Sequence, residues 1–339
     1  MATPITAFGK SPAFRKPATP ATPDNITEIN LTFEQVEALG RELDELRARV
    51  VADLGQKDRD YLYTIVRVQR GLEVGGRGLM YLGFLPPAWI AGGAALSVSK
   101  ILDNMEIGHN VMHGQYDWMR EDNYNSRDFE WDNVCPGDQW KHSHNYLHHT
   151  FTNIVYGILR MAREQKWHPY YLGNLAYATA LMLLFEWGVM LHDLEAENLI
   201  KGNRSWSDVK GLAKGMWRKA RKQALKDYVV FPALTGPLFV STLLGNATAN
   251  LVRNVWAYSI IFCGHFPTGT QTFTKEECEN ETRGQWYLRQ MLGSANIEGG
   301  TLFHITSGNL SPQSEHHLSP DLPRRRHPAL ALAGRAISE

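Results

Sequence analysis

Three cysteines, Cys135, Cys263 and Cys278, are too few and too scattered for a disulfide framework or a thiolate metal site. The formal net charge is zero, which gives no argument for nucleic-acid binding, since that would call for a basic surface. The opening run MATPITAFGKSPAFRKP has no apolar core ahead of its first prolines, which argues against a secretory signal. Glycine-rich phosphate loops are also missing: Gly75-Gly76-Arg77-Gly78 is too short and poorly placed to be one. No internal repeat is visible. Mean hydropathy is −0.32, a value that conceals strong segregation along the chain.

Residues 1–30, rich in Ala, Thr and Pro, read as a disordered tail. Residues 31–78 read as a soluble helical segment, with Thr32, Glu34 and Gln35 placed to cap its start. From 79 to 323 the pattern is that of a membrane domain. Its apolar blocks are 79–102, extending to Val111, then 170–191 and 229–264. Each is long enough for a crossing and flanked by Trp and Tyr. The polar centre of the last block, GNATANLVRN, reads as a turn between two crossings. Residues 201–226 carry nine Lys and Arg and read as a cytoplasmic loop. Residues 324–339 form a short C-terminal tail.

Histidine is the unusual residue, with thirteen in the chain. His109 and His113 are four apart, as are His144 and His148, with His149 adjacent and His142 just before. A spacing of four puts two imidazoles on one helix face. A third cluster is Gln313-Ser-Glu-His316-His317. Neutral imidazole suits iron, zinc, copper and nickel. Seven clustered imidazoles exceed the needs of one metal, and zinc would leave the excess unexplained. The pair of Glu-x-x-His motifs typical of soluble carboxylate bundles does not occur. Glu106, Asp117 and Glu315 are candidate orienters of the rings or solvated acids. Trp118, Trp131 and Trp140 are candidates to line a channel or to pack at an interface.

The segments GHNVMHGQYDW, HSHNYLHHTFTN and GNLSPQSEHHLSPDLP closely resemble the three histidine boxes of membrane fatty acid desaturases. The likeness spans roughly residues 55–323 and includes QKWHPYYLGN and IIFCGHFPTG. It departs from the usual third box at Ser319, where relatives carry an apolar residue before the proline. The resemblance implies an all-α integral membrane protein, with about four transmembrane helices in two hairpins and a cytosolic helical cap. It implies two iron ions held by His109, His113, His144, His148, His149, His316 and His317, with His265 as a ligand from the last membrane helix. Gln313 stands where relatives can have a histidine, and His304 is a weaker candidate. His142, His168, His192 and His327 are left as non-ligands. The implied reaction uses O2 to insert a double bond into a fatty acyl-CoA or acyl-lipid, at position 9 in one reading. No cytochrome b5-type segment is evident, so the expected electron donor is a separate ferredoxin-type protein with its reductase. The alternatives are a membrane hydroxylase using the same boxes, or a homologue that only binds metal. The expected location is the bacterial inner membrane, among lipids, with the site cytoplasmic.

One metal centre requires all boxes on one side of the membrane. The expectation is therefore two hairpins, near 79–110 and 229–264, with block 170–191 re-entrant or interfacial. Glu186 in that block favours this, since a carboxylate at mid-bilayer is costly.

Overall fold

The computed structural model describes residues 31–152, 171–194, 199–200, 202–267, 269–274, 278–327 and 330. The tail at 1–30 and His168 lie outside them. Among the described residues every element is a helix, in agreement with the expected all-α class. Helix α1 (Phe33–Ala52) starts where the sequence places it. Thr32 and Gln35 cap each other's backbone N–H reciprocally.

The hairpins lie elsewhere than the apolar runs suggest. Helix α2 (Gln56–Met80) turns at 81–85 into α3 (Pro86–Ile101), which continues through a π-helical stretch (Leu102–Gly108) into α4 (His109–Met112). Residues 86–112 are thus one continuous helix, and its hairpin partner is α2, which composition assigned to a soluble segment. The two helices approach closely where glycines meet. A Cβ on Gly76 would lie 3.0 Å from the Gly92 carbonyl oxygen, and one on Gly92 would lie 3.1 Å from that of Gly76. The double-glycine run therefore serves helix packing.

After box one, α5 (Gly137–Trp140) leads into a second π-helical stretch (Lys141–His148). Block 170–191 becomes α6 (Tyr171–Leu183) and α7 (Phe185–Asp193), bent by 92° at the break between them. The basic stretch becomes α8 (Trp206–Leu225), which runs on through residues 226–230 into α9 (Phe231–Leu234). The turn comes at 235–238, and α10 (Phe239–His265) returns as one helix of 27 residues. The expected turn at 245–254 is therefore incorrect. Asn246, Asn250, Arg253 and Asn254 share the buried face of α10, and polar side chains with partners inside a bundle do not break a helix. Asn246 Nδ2 donates to the Asp227 carbonyl at 2.6 Å, and Asn254 Nδ2 to that of Leu183 at 3.0 Å. Arg253 pairs with Glu186, which also accepts the Val134 N–H at 3.0 Å.

The two hairpin tips lie side by side: Trp89 Nε1 donates to the Ser241 carbonyl at 2.9 Å. From there α3 and α10 run together. Ile101 and Met105 pack on Ala257 and Ile260, and two turns later the helices deliver His109 and His265 to the same end. Three short helices close that end: α11 (Arg283–Leu292), α12 (Thr301–Thr306) and α13 (Gln313–Leu318). Among the described residues no single helix is long and apolar enough to cross a membrane, although the bent pair Leu172–Leu183 and Phe185–Asp193 passes that test together.

Candidate metal centre

Local backbone form sets the histidine spacing. Box one begins as the π stretch 102–108 gives way to α4, and box two lies within and just after the second π stretch. Single π segments inside α-helices recur at functional sites. In box two the wider turn stacks the rings of His144 and His148, with centroids 4.9 Å apart and planes 22° apart. In box one the Nε2 atoms of His109 and His113 stand 2.9 Å apart.

The eight principal candidates converge. His109, His113, His144 and His316 offer ring nitrogens all within 4.8 Å of one another, and so do His148, His265 and His317. A third overlapping group joins His149, His316 and His317. His316 and His317 thus link the clusters, and both are fully buried. Burial pulls the His148 imidazole down to about 4 and lowers His144, His149, His316 and His317 in the same direction. At neutral pH these rings are uncharged and present lone pairs without first losing a proton.

The cluster fits cations on a further ground. His144 Nε2, both ring nitrogens of His149, His265 Nδ1, His317 Nε2 and Gln313 Oε1 are buried without a hydrogen-bond partner. Buried polar atoms are seldom left so, and an ion is a standard reason when they are. Two neutral imidazole lone pairs facing each other at 2.9 Å repel unless a proton or a cation lies between them. Borderline nitrogen donors in this number suit first-row metals.

Gln313 Nε2 lies 3.0 Å from His265 Nε2, so the glutamine sits at the centre. His304 does not: its Nδ1 is 2.6 Å from Ser311 Oγ, and it belongs to none of the groups. Its side chain leaves α12 away from the cluster, which nine residues of sequence separation could not reveal. His142, His192 and His327 also fall outside the groups.

The ring orienters differ from the candidate acids. Glu106 is engaged by Tyr61 Oη (2.6 Å) and Asn309 Nδ2, Asp117 by Ser126, and Glu315 accepts from Asn296. Gln290 on α11 does this work instead. Its Oε1 lies 3.1 Å from His317 Nδ1 while its Nε2 donates to the His149 carbonyl at 3.0 Å, tying boxes two and three together. Accepting the Nδ1 proton leaves the His317 Nε2 lone pair free. Replacing Gln290 by Leu is expected to weaken metal retention about 10- to 100-fold, read as metal content after dialysis against a graded chelator.

Arg324 is the other unforeseen neighbour. It begins the segment set apart as a tail, yet it is fully buried, with Nη2 3.2 Å from His316 Nδ1 and Nη1 donating to the Gly308 carbonyl at 2.6 Å. Gly308 has φ +69°, and a Cβ there would lie 2.3 Å from the Met105 carbonyl oxygen on the box-one helix. Only glycine permits that approach. Trp140 stacks on His144 at 4.3 Å, and Trp131 packs against Trp140. Both are buried, whereas Trp118 is exposed.

The sequence profile of the fatty acid desaturase family matches residues 85–338. The NADPH-dependent stearoyl-CoA 9-desaturase of Mycobacterium tuberculosis is 44% identical over 329 residues, covering 93% of this chain and 77% of that protein. The sn-1 linoleoyl-lipid 6-desaturase of Synechocystis is 23% identical, over 90% of this chain and 89% of its own. No solved structure matches. The profile takes in all three boxes as well as His265, and these are the stretches that the helices gather into one buried centre. The protein is a member of the fatty acid desaturase family.

Proposed function

We propose that this protein is an acyl-CoA desaturase that inserts a double bond at position 9 of a saturated chain at a pair of irons held by histidine. The observation that carries the reading is the convergence of eight histidines, six buried and His144 and His148 half-buried, in linked groups at one end of two helical hairpins. The acyl-CoA form and the position rest on the 44% identical stearoyl-CoA 9-desaturase, whose name also makes NADPH the ultimate electron source.

His109, His113, His144 and His316 would hold one iron, and His148, His265 and His317 the other, with His149 beside His316 and His317. Gln313 serves the second seat through His265. The chemistry such a pair supplies when bound is the reduction of one O2 to two waters, using two donor electrons, two protons and two hydrogens from adjacent methylenes. The chain's own part is positional. Gln290 orients the His317 ring, Arg324 lies against that of His316, and burial favours neutral imidazoles and limits bulk water. None of these steps calls on a side-chain acid or base.

A membrane setting is supported by the polarity of α10. Its buried face carries Asn246, Asn250, Arg253 and Asn254, while Val240, Leu244, Leu251 and Val252 are exposed. Water would favour the opposite arrangement, and intramembrane polar groups face a bundle interior. At the tips Leu82, Phe84, Leu85, Leu234 and Phe239 are exposed as well. Helix α10 is about 40 Å long, enough to carry its tip into a bilayer while His265 stays at the inner face. A reporter fused at residue 205 is expected to be read inside the cell; an external signal overturns this topology.

The function is tested by expression in a host with simple lipids, followed by mapping of double bonds. A new alkene at position 9 is expected. An alcohol in its place indicates a hydroxylase, and iron bound without any product indicates a metal-binding homologue.

A further inference from the structure

We infer that the exposed face of α8 is the docking surface for an acidic, one-electron-carrying protein, and that Trp140 is the last side chain the electron passes before the metal centre. This rests on the reading above, in which electrons come from outside the chain.

Lys210, Lys214, Arg218, Arg221 and Lys222 are all exposed. At 100° per residue they fall, with Trp217, within an arc of about 140° on one side of the helix. Among the described residues none of the five is ion-paired. The one acid of the helix, Asp208, caps its N-terminus through the Ser205 N–H. Trp206 and Trp217 are 56% and 69% exposed. An unpaired cationic stripe with bare indoles combines long-range steering with the side chains that anchor protein interfaces.

The shape of the stripe favours a protein over lipid. Lys210 and Lys222 are about 18 Å apart along the axis. The helix then runs unbroken through residue 234, toward the tip with exposed Leu234. With that tip in the bilayer, the stripe rises away from the membrane, and a flat layer of headgroups meets only its lower end. A partner with height and negative charge can match it whole.

The opposite face of α8 leads inward. Met216 packs with Met112, Trp131, Cys135 and Trp140. Lys219 fixes that layer through the Trp131 and Cys135 carbonyls at 3.0 and 3.2 Å. Trp131 and Trp140 rings are 5.3 Å apart, and Trp140 stacks on His144 at 4.3 Å and 17°. One layer of aromatic side chains thus separates the basic helix from a metal-ligand candidate. Each encounter would pass one electron from the reduced donor to a ferric ion held there, and two encounters would serve one turnover.

The test uses the iron-loaded, full-length protein in neutral-lipid nanodiscs, with reduced acidic [2Fe–2S] ferredoxin as the probe and stopped-flow absorbance as the readout. Wild type is expected to be reduced at a rate that falls steeply with salt. The variant K210E/K214E/R218E/R221E is expected to need at least tenfold more ferredoxin for half-maximal rate, with the KM for acyl-CoA unchanged. Its reduction by dithionite is expected to match wild type. Trp140→Leu is expected to slow reduction at saturating ferredoxin with the half-saturating concentration unchanged, and Trp140→Phe to recover much of the rate. An unchanged ferredoxin dependence in the charge-reversed variant overturns the docking surface. A raised acyl-CoA KM alone reassigns the stripe to the substrate's phosphates, and loss of binding to anionic vesicles alone reassigns it to lipid. Normal transfer in Trp140→Leu overturns the route. Iron that neither ferredoxin nor dithionite reduces in wild type sinks the underlying redox reading instead.

Discussion

His316→Ala is expected to lose most of its iron and more than about 100-fold of its desaturation. The argument is one of place. His316 has no exposed surface and belongs to two of the three donor groups, so its loss opens both at once. Outer-shell partners alone typically cost 10- to 100-fold in metal affinity or activity, and losing a donor shared by two groups is expected to cost more. The same deletion also strands Arg324, whose guanidinium lies against that ring. His304→Ala is the control. Its ring rests on Ser311 outside every donor group, so iron content and product are expected to stay near wild type. Iron by mass spectrometry and chain unsaturation by gas chromatography check both. Full activity in His316→Ala would contradict the centre as drawn.

The second large effect is on stability. Glu186→Ala leaves Arg253 as a buried charge without its partner and is expected to cost about 3–5 kcal/mol. Arg253 is 2% exposed and Glu186 5% exposed. The pair joins α7 to α10, and Glu186 also accepts the Val134 N–H beside box two. Removing both charges together, as in Glu186→Leu with Arg253→Met, is expected to recover much of the loss, since a packed apolar pair is often as stable as a buried ion pair. Thermal unfolding in detergent distinguishes the two. If the single and double variants melt alike, the charge left behind is not the cause. This pair also gives Glu186 a reason to exist in an apolar block: the cost of burying it is offset by a cation from the neighbouring helix.

Arg253 shows where reading a linear chain fails. In GNATANLVRN the polar residues look like surface, and surface in an apolar block looks like a turn. Their spacing at 246, 250, 253 and 254 is helical, and it becomes decisive only once Asp227, Glu186 and the Leu183 carbonyl are known to lie opposite. Helix α2 fails in the other direction. Its arginines and glutamate make it look soluble, yet Gly76 seats against Gly92, and Leu62 and Ile65 enter a core with Leu102, Ile107 and Val111. Hydropathy averages over all faces of a helix, whereas packing uses one.

His265 and His304 make the same point for the site. Each is a histidine outside the boxes, and family likeness favoured the first. What separates them in space is that α10 runs beside α3 to the cluster, while α12 turns its ring toward Ser311. Gln290 and Arg324 carried no signal at all. A glutamine or an arginine in isolation has no motif, and their importance comes from which ring nitrogen each one meets.

The amino-acid sequence by itself determined the helical character, the three boxes, and imidazole as the candidate donor. Ligand type and short-range spacing are local properties, written within five or six residues. The tertiary structure alone decided where the hairpins turn, which lone histidine joins the centre, and which side chains hold the rings. Those outcomes depend on groups from 8 residues apart, as Arg324 and His316, to 141 apart, as Gln290 and His149, becoming neighbours, and that pairing is made by packing and by the need to satisfy buried polar atoms.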